Sequence, residues 1–170
     1  MLIRPERPED TVAIHEINTL AFGQPEEAQI VDELRRSCDD LVSLVAVDGE
    51  EVIGHILFSP ATIEGTGGLI HGMGLAPMAV LPGRQREGVG SALVERGLAI
   101  LRERRCPFVV VLGHPEYYPR FGFERASRRG IKAQWPGIPD DVFMVVVMVP
   151  GVMRGVSGVV RYRDEFDTAM

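Results

Sequence analysis

The sequence predicts an α/β (α+β) domain on a mixed central sheet, and three observations carry that reading. Residues 88–105 place Val89, Leu93, Gly97 and Leu101 four apart, with Val94 and Leu98 beside them. Glu95, Arg96, Arg102, Glu103 and Arg104 fill the opposite face, so the segment is an amphipathic helix. An apolar segment ending at Val80 precedes it, and the continuous apolar run Phe108-Val109-Val110-Val111-Leu112 follows it. Strand, helix, strand at this spacing implies a right-handed parallel crossover. Upstream, two apolar segments flank Asp48-Gly49, a strong antiparallel hairpin signal.

The other elements follow in order. Residues 1–4 read as a first strand. Pro8 suits the first turn of a helix, and Glu9 and Asp10 sit where the helix dipole favours acids. Ile14, Ile17 and Ala21, with Ala13 and Leu20 beside them, give that helix its apolar face, and Gly23 stops it. Pro25 opens a second helix with Glu26 and Glu27 in its first turn, an apolar stripe of Ile30, Val31 and Leu34, and an end at residues 37–40. Residues 44–47 and 51–59 form the hairpin strands, with Gly54 marking a bulge or a close backbone approach. Gly65, Thr66, Gly67 and Gly68 read as a loop into the fourth strand. Pro77 lacks an N–H, so the middle of that strand is expected to be irregular or partly unpaired. A short segment covers residues 116–121, a buried strand residues 142–149, and a loop with a final short strand the last 20 residues. No period repeats along the chain.

Length and composition set the class. A chain of 170 residues suits one domain with its own core. Apolar residues at 45% and charged residues at 25% are the balance of a soluble folded protein. The net charge of −6 disfavours a nucleic-acid backbone as the main partner. No apolar run reaches membrane-spanning length, and the charged start MLIRPERPED shows no secretion signal. Cys38 and Cys106 read as free thiols in a reducing cytoplasm.

The informative segment is Pro82-Gly83-Arg84-Gln85-Arg86-Glu87-Gly88-Val89-Gly90-Ser91, between the fourth strand and the long helix. Small residues there leave backbone N–H groups uncovered, and with the helix dipole they make an anion site suited to phosphate. Arg84 and Arg86 can add charge at its rim. Gly83 and Gly88 have P-loop spacing, but Val89 and Gly90 stand where Lys and Ser or Thr are needed. Gly88-Val89-Gly90-Ser91-Ala92-Leu93 lacks the third glycine of a dinucleotide fingerprint and lies late for a first turn. A tight turn without ligand is the remaining alternative.

Gln85-Arg86-Glu87-Gly88-Val89-Gly90 matches the (Q/R)xxGx(G/A) acyl-CoA signature, and here the chain resembles the GCN5-related N-acetyltransferase (GNAT) family over roughly residues 1–150. Gly113-His114-Pro115-Glu116-Tyr117-Tyr118-Pro119-Arg120-Phe121-Gly122-Phe123 is similar to the stretch after the fifth strand in the bacterial YhbS-like acetyltransferases. The resemblance implies a single domain at 1–150 with residues 151–170 as an extension packed on it. It also implies fourth and fifth strands that splay to admit the pantetheine arm of acetyl-CoA, the acyl donor. Met78 and Val80 would give main-chain bonds to that arm, with an N–H near Met78 or Ala79 at the thioester oxygen. The N–H groups of Gln85, Arg86, Glu87, Gly88, Val89 and Gly90, with Ser91, would hold the diphosphate.

Acetyl transfer to an amine needs a neutral amine, a stabilised tetrahedral oxygen and a proton for the leaving thiolate. A tyrosine hydroxyl suits the last need, being protonated at neutral pH. The resemblance points to Tyr118, with Tyr117 as runner-up, while packing beside Phe121 and Phe123 is the structural alternative for both. His114, directly after the fifth strand, is the first candidate base; His71 and Glu116 are others, and a substrate amine arriving neutral needs none. His55 in a strand and His15 on a helix read as structural. The histidines and cysteines show no metal-ligand spacing. Ser91 lacks a nucleophile elbow, and Cys106 lacks an exposed, anion-friendly setting. Trp135 is a core ring or a lid, and Arg128, Arg129 and Lys132 a solvated basic face.

The expected function is transfer of acetyl from acetyl-CoA directly to a primary amine of a small molecule, without nucleic acid or membrane as partner. A homodimer is the expected assembly. The alternatives are a non-catalytic CoA-binding or interaction domain, and an acyltransferase using longer acyl-CoA or acyl carrier protein donors.

Overall fold

The computed structural model describes residues 1–65 and 67–170. The chain clusters into two compact units, one of Met1–Phe58, Ala76–Ile100 and Glu165–Ala169, the other of Ser59–Leu75, Leu101–Asp164 and Met170. Among the described residues, hydrogen bonding orders the strands β1-β2-β3-β4-β5-β8-β6 in one mixed sheet, with β9 pairing β3 and β7. This is the mixed α/β class that the sequence predicts.

In the first unit, β1 (Leu2–Pro5) pairs antiparallel with β2 (Val42–Asp48), which pairs antiparallel with β3 (Glu51–Gly65). The hairpin turn is Gly49-Glu50, one residue later than expected, because Asp48 and Glu51 themselves pair. Gly49 has φ +64° and Glu50 does not share that sign, the pattern of a type II′ turn. Helix α1 (Thr11–Phe22) follows a 3-10 turn at Pro8–Asp10. The buried Asp10 carboxylate accepts two bonds from the Arg4 guanidinium, at 2.7 and 3.0 Å, and one from the Arg7 N–H at 2.7 Å. Gly23 ends α1 at φ +70°. Ile14 and Ile17 are buried as expected, but Leu20 is 58% exposed. Helix α2 (Glu26–Ser37) buries Ala28, Ile30, Val31 and Leu34.

Helix α3 (Val89–Glu103) starts one residue after the expected position. Its Gly97 lies against the Phe58 ring, so no side chain would fit there. Gly54 shows both features the sequence offered for it. The β2–β3 register jumps from Ala46↔Gly54 to Val47↔Val52, leaving Ile53 as a bulge, and Gly54 lies under the first turns of α3.

The second unit holds the remainder of β3 and the first half of β4 (Gly68–Val80), then β5 (Phe108–Leu112), β6 (Glu124–Arg125), β7 (Ile131–Ala133), β8 (Phe143–Val147), α4 (Pro150–Met153) and β9 (Gly158–Arg161). Strand β4 pairs parallel with β5 at Met73, Gly74 and Leu75, as the crossover predicts. That ladder ends at Leu75, just before Ala76-Pro77, whose peptide bond is cis. Phe108, Val109 and Val110 have no exposure, confirming a strand buried on both faces. Strand β8 lies antiparallel to β5 and carries β6 on its other side.

Three expectations need correction. Strand β3 does not stop at Ser59 but runs to Gly65, because Thr62, Ile63 and Glu64 pair with Arg161, Val160 and Val159 of β9. Of the expected Gly65–Gly68 loop, Gly65 and Gly68 belong to strands, and Thr66 lies outside the described residues. The last 20 residues contain α4 and a 3-10 segment, Asp164–Ala169, besides the expected strand.

Candidate active site

The loop before α3 is built to leave amides uncovered. A 3-10 turn at Pro82–Arg84 brings the chain off β4, and the Arg84 N–H bonds the Leu81 carbonyl at 2.8 Å. Gln85 is extended, Arg86 takes φ +64°, and Gly88 takes φ +84°. Left-handed residues interrupting a turn point successive N–H groups into one concavity, a backbone nest for anions. Arginine is uncommon at such a φ, so the surrounding loop must hold it there. Among the described residues, none of the N–H groups from Gln85 to Gly90 donates to a protein acceptor. A Cβ at Gly83 or Gly88 would meet nothing within 4 Å, so these glycines border open space rather than protein.

Side chains tie this loop down. The Gln85 Nε2 donates to the Val80 carbonyl at 3.2 Å, joining the loop to the end of β4. Arg84 is not the free rim charge expected of it: it pairs with Asp48 at 2.9 Å and Glu87 at 3.2 Å, and those hydrogen bonds hold its guanidinium more firmly charged. Arg86 is exposed and makes no ion pair among the described residues. On β4, Met78 is half-buried, while Ala79 and Val80 are buried.

In the second unit, Gly113 follows β5 and donates its N–H to Val142. The Tyr118 ring lies against Gly113, in the space a Cβ would need. Tyr117 and Phe123 flank it edge-on, with ring centroids 5.0 and 5.6 Å away. Burial pushes the Tyr118 hydroxyl well above its ordinary pKa, and the neighbouring Tyr117 adds to the effect. Among the described residues that hydroxyl takes no hydrogen bond. Tyr117 is half-buried, with the Arg120 guanidinium 4.7 Å from its ring centre. The packing expected with Phe121 and Phe123 is therefore real, and it is what holds Tyr118.

A family model described as an acetyltransferase (GNAT) domain matches residues 2–126. The N-acetyltransferase YhbS of Escherichia coli (strain K12) is 36% identical over 168 residues, covering 98% of this chain and 99% of that protein. The chain belongs to the GNAT acetyltransferase family. The crystal structure of the E. coli YhbS in complex with CoA superposes with a TM-score of 0.89, covering 98% of this chain and 91% of that one. A GNAT family acetyltransferase from Brucella melitensis, in complex with acetyl-CoA, superposes at 0.80 with 36% identity, covering 98% of this chain and 97% of that one.

The other candidate groups of this acetyltransferase are spread out. His114 is exposed, and its carbonyl accepts from the N–H groups of Tyr117 and Tyr118 at 3.1 and 3.3 Å. His71 and Glu116 are exposed. Trp135 packs on Tyr162, ring centroids 5.1 Å apart, and is half-buried. In the basic face, Arg129 pairs with Glu124 at 3.2 Å while Arg128 and Lys132 are exposed. His15 pairs with Asp32 at 2.7 Å.

His55 has the structural role expected of it, but its partners carried no signal in the sequence. Asn18 donates to the Ile14 carbonyl at 3.0 Å, which fixes its amide orientation, and also reaches His55 Nδ1 at 3.1 Å. Nδ1 therefore accepts, and Nε2 carries the proton toward Ser43 Oγ at 3.0 Å. Ser43 donates to Glu6 at 2.7 Å, and Glu6 receives Arg35 at 2.7 and 2.9 Å. Burial lowers the His55 pKa to about 4, so the imidazole is neutral, and the opposing influences of Glu6 and Arg35 are smaller. Burial alone would raise the Glu6 pKa, but the hydrogen bonds from Arg35 and Ser43 hold it below the ordinary value. A histidine in the middle of an apolar strand was the only sign of this network.

Proposed function

We propose that this acetyltransferase moves an acetyl group from acetyl-CoA directly to the primary amine of a small molecule in a ternary complex. The observation that carries the donor assignment is the run of uncommitted amides from Gln85 to Gly90, curved by Arg86 and Gly88 at the start of α3. Such a nest suits the diphosphate of coenzyme A. The bound CoA and acetyl-CoA of the two structural relatives support the same donor. Ser91 and the exposed Arg86 complete the anion site, and the backbone of Met78, Ala79 and Val80 receives the pantetheine arm. Residues 1–150 act as one acyl-CoA N-acyltransferase-like domain, with 151–170 as its extension.

In the reaction the amine nitrogen attacks the thioester carbonyl, and the carbon–sulfur bond breaks as the tetrahedral intermediate collapses. The Tyr118 hydroxyl gives its proton to the departing thiolate and recovers one from solvent. His114, or water, takes the proton that the amine nitrogen sheds. The raised Tyr118 pKa bears on the tyrosine's role in one way: it keeps the hydroxyl protonated across the working pH range, with its hydrogen available to the sulfur as negative charge develops there. The net charge of −6 favours a cationic amine as acceptor.

A panel of small amines incubated with acetyl-CoA and the protein, read by mass spectrometry, tests the whole reading. The expected result is one acetyl added to at least one amine with stoichiometric release of CoA. CoA binding without any acetylated amine would favour the non-catalytic alternative. Transfer only from longer acyl donors would replace acetyl in the assignment.

A further inference from the structure

The loop's two ends meet β3 at adjacent residues. The carbonyl of Ile53, the bulged residue, accepts the Leu81 N–H at 2.9 Å, just before the loop. Gly54 lies under Val89, the first residue of α3, just after it. A Cβ at Gly54 would stand 2.9 Å from Val89 Cγ1, 3.1 Å from Leu93 Cδ1 and 3.4 Å from the Ala79 carbonyl oxygen.

These neighbours differ in how they can yield. Leu93 offers the far end of a flexible side chain. Val89 is β-branched, stiff at χ1 in a helix, and 3% exposed, so it has no free rotamer to retreat into. Pressure on its Cγ1 passes to its own backbone, and that backbone carries one of the open amides, between those of Gly88 and Gly90. Gly54 has an ordinary negative φ, so backbone torsion does not demand glycine there.

We propose that Gly54 is a positioning residue for acetyl-CoA: by having no side chain it lets Val89 seat α3 against β3, and so sets where the loop amides stand. This rests on the loop being the coenzyme A diphosphate site. It differs from the role of Gly97, whose Cβ would meet Phe58 two turns into α3, away from the amides.

A double-mutant cycle tests it on the full chain, with CoA affinity from calorimetry, steady-state kinetics and Tm read together. Gly54→Ala is expected to weaken CoA about tenfold, or about 1.4 kcal/mol, and to raise KM for acetyl-CoA while kcat at saturating donor stays within about twofold. In a Val89→Ala background, where Cγ1 is gone, the same Gly54 change should cost no more than about twofold. A Gly54→Ala protein with lowered Tm but unchanged CoA affinity overturns the proposal, as does an undiminished cost in the Val89→Ala background. If Gly54→Ala alone does not fold, the doubly substituted protein is compared with Val89→Ala, and a CoA affinity lower by more than about twofold overturns it. Backbone resonances of residues 85–90 separate the two failures. If CoA leaves them unmoved in the unsubstituted protein, the loop assignment falls and this inference with it; if they move and Gly54→Ala is silent, only the inference falls.

Discussion

His55 Nε2 points its proton at the Ser43 hydroxyl, 3.0 Å away, in a site with no exposure to water. The imidazole is thereby held neutral, with its pKa lowered to about 4 by burial. In the unfolded chain it takes a proton near 6.5. The folded state thus binds fewer protons, and stability is complete above about 6.5 and declines as pH falls toward 4. The shift corresponds to on the order of 3 kcal/mol. Glu6 adds a loss in the same direction, but only below its ordinary value of 4.5. Urea unfolding at a series of pH values should show the decline between 6.5 and 4.5, and His55→Gln should flatten it whatever its absolute stability. An equally steep slope in His55→Gln would count against this account.

Tyr118→Phe removes the proton proposed for the thiolate while leaving the ring that fills the space beside Gly113. Acetyl transfer should fall roughly 10²-fold, the lower end for general acid catalysis, with CoA affinity unchanged. Because burial raises the hydroxyl's pKa above its ordinary 10, the rate should show no alkaline decline from Tyr118 ionisation below that pH. Stopped assays across the pH range, alongside calorimetric CoA titrations, check both statements.

Arg84 and Arg86 lie two residues apart and should behave differently. Arg84 already faces Asp48 and Glu87, whereas Arg86 faces solvent. Arg86→Ala should weaken CoA about two- to fivefold, the scale of one exposed charge pair, and reduce the dependence on salt. Arg84→Ala should change CoA affinity less than that. Titrations at two ionic strengths distinguish them.

Gly97→Ala forces a methyl into the Phe58 ring inside a packed core. The expected cost is about 1–3 kcal/mol of unfolding free energy, with CoA affinity retained. Denaturant unfolding and a CoA titration on the same protein measure it.

What could be read from the sequence was what short-range pattern encodes. The four-residue repeat from Val89 to Leu101 located the start of α3 to one residue and its end to two, and the run from Phe108 to Leu112 located β5 at both ends. Gly23 and Gly49 marked their turns because both needed positive φ. The amide-bearing loop was legible for the same reason: its glycines and charges are adjacent in sequence. The extent of β3 was not, since its last residues are strand only by pairing with β9, about a hundred positions away. Strands β6 and β7, of two and three residues, carry no period at all. The Asn18–His55–Ser43–Glu6 chain joins α1, β3, β2 and the segment after β1, and no local spacing reports it. Gly54 was recognised as special, but its partner Val89 required the fold.

Strand β9 joins β3 antiparallel on one side and β7 parallel on the other. Shortening the protein ahead of Gly158 would therefore trim no loose tail. It would strip hydrogen-bond partners from two strands at once and leave raw sheet edges, the kind that recruit other chains. A version lacking the final dozen residues should be judged first by whether it aggregates.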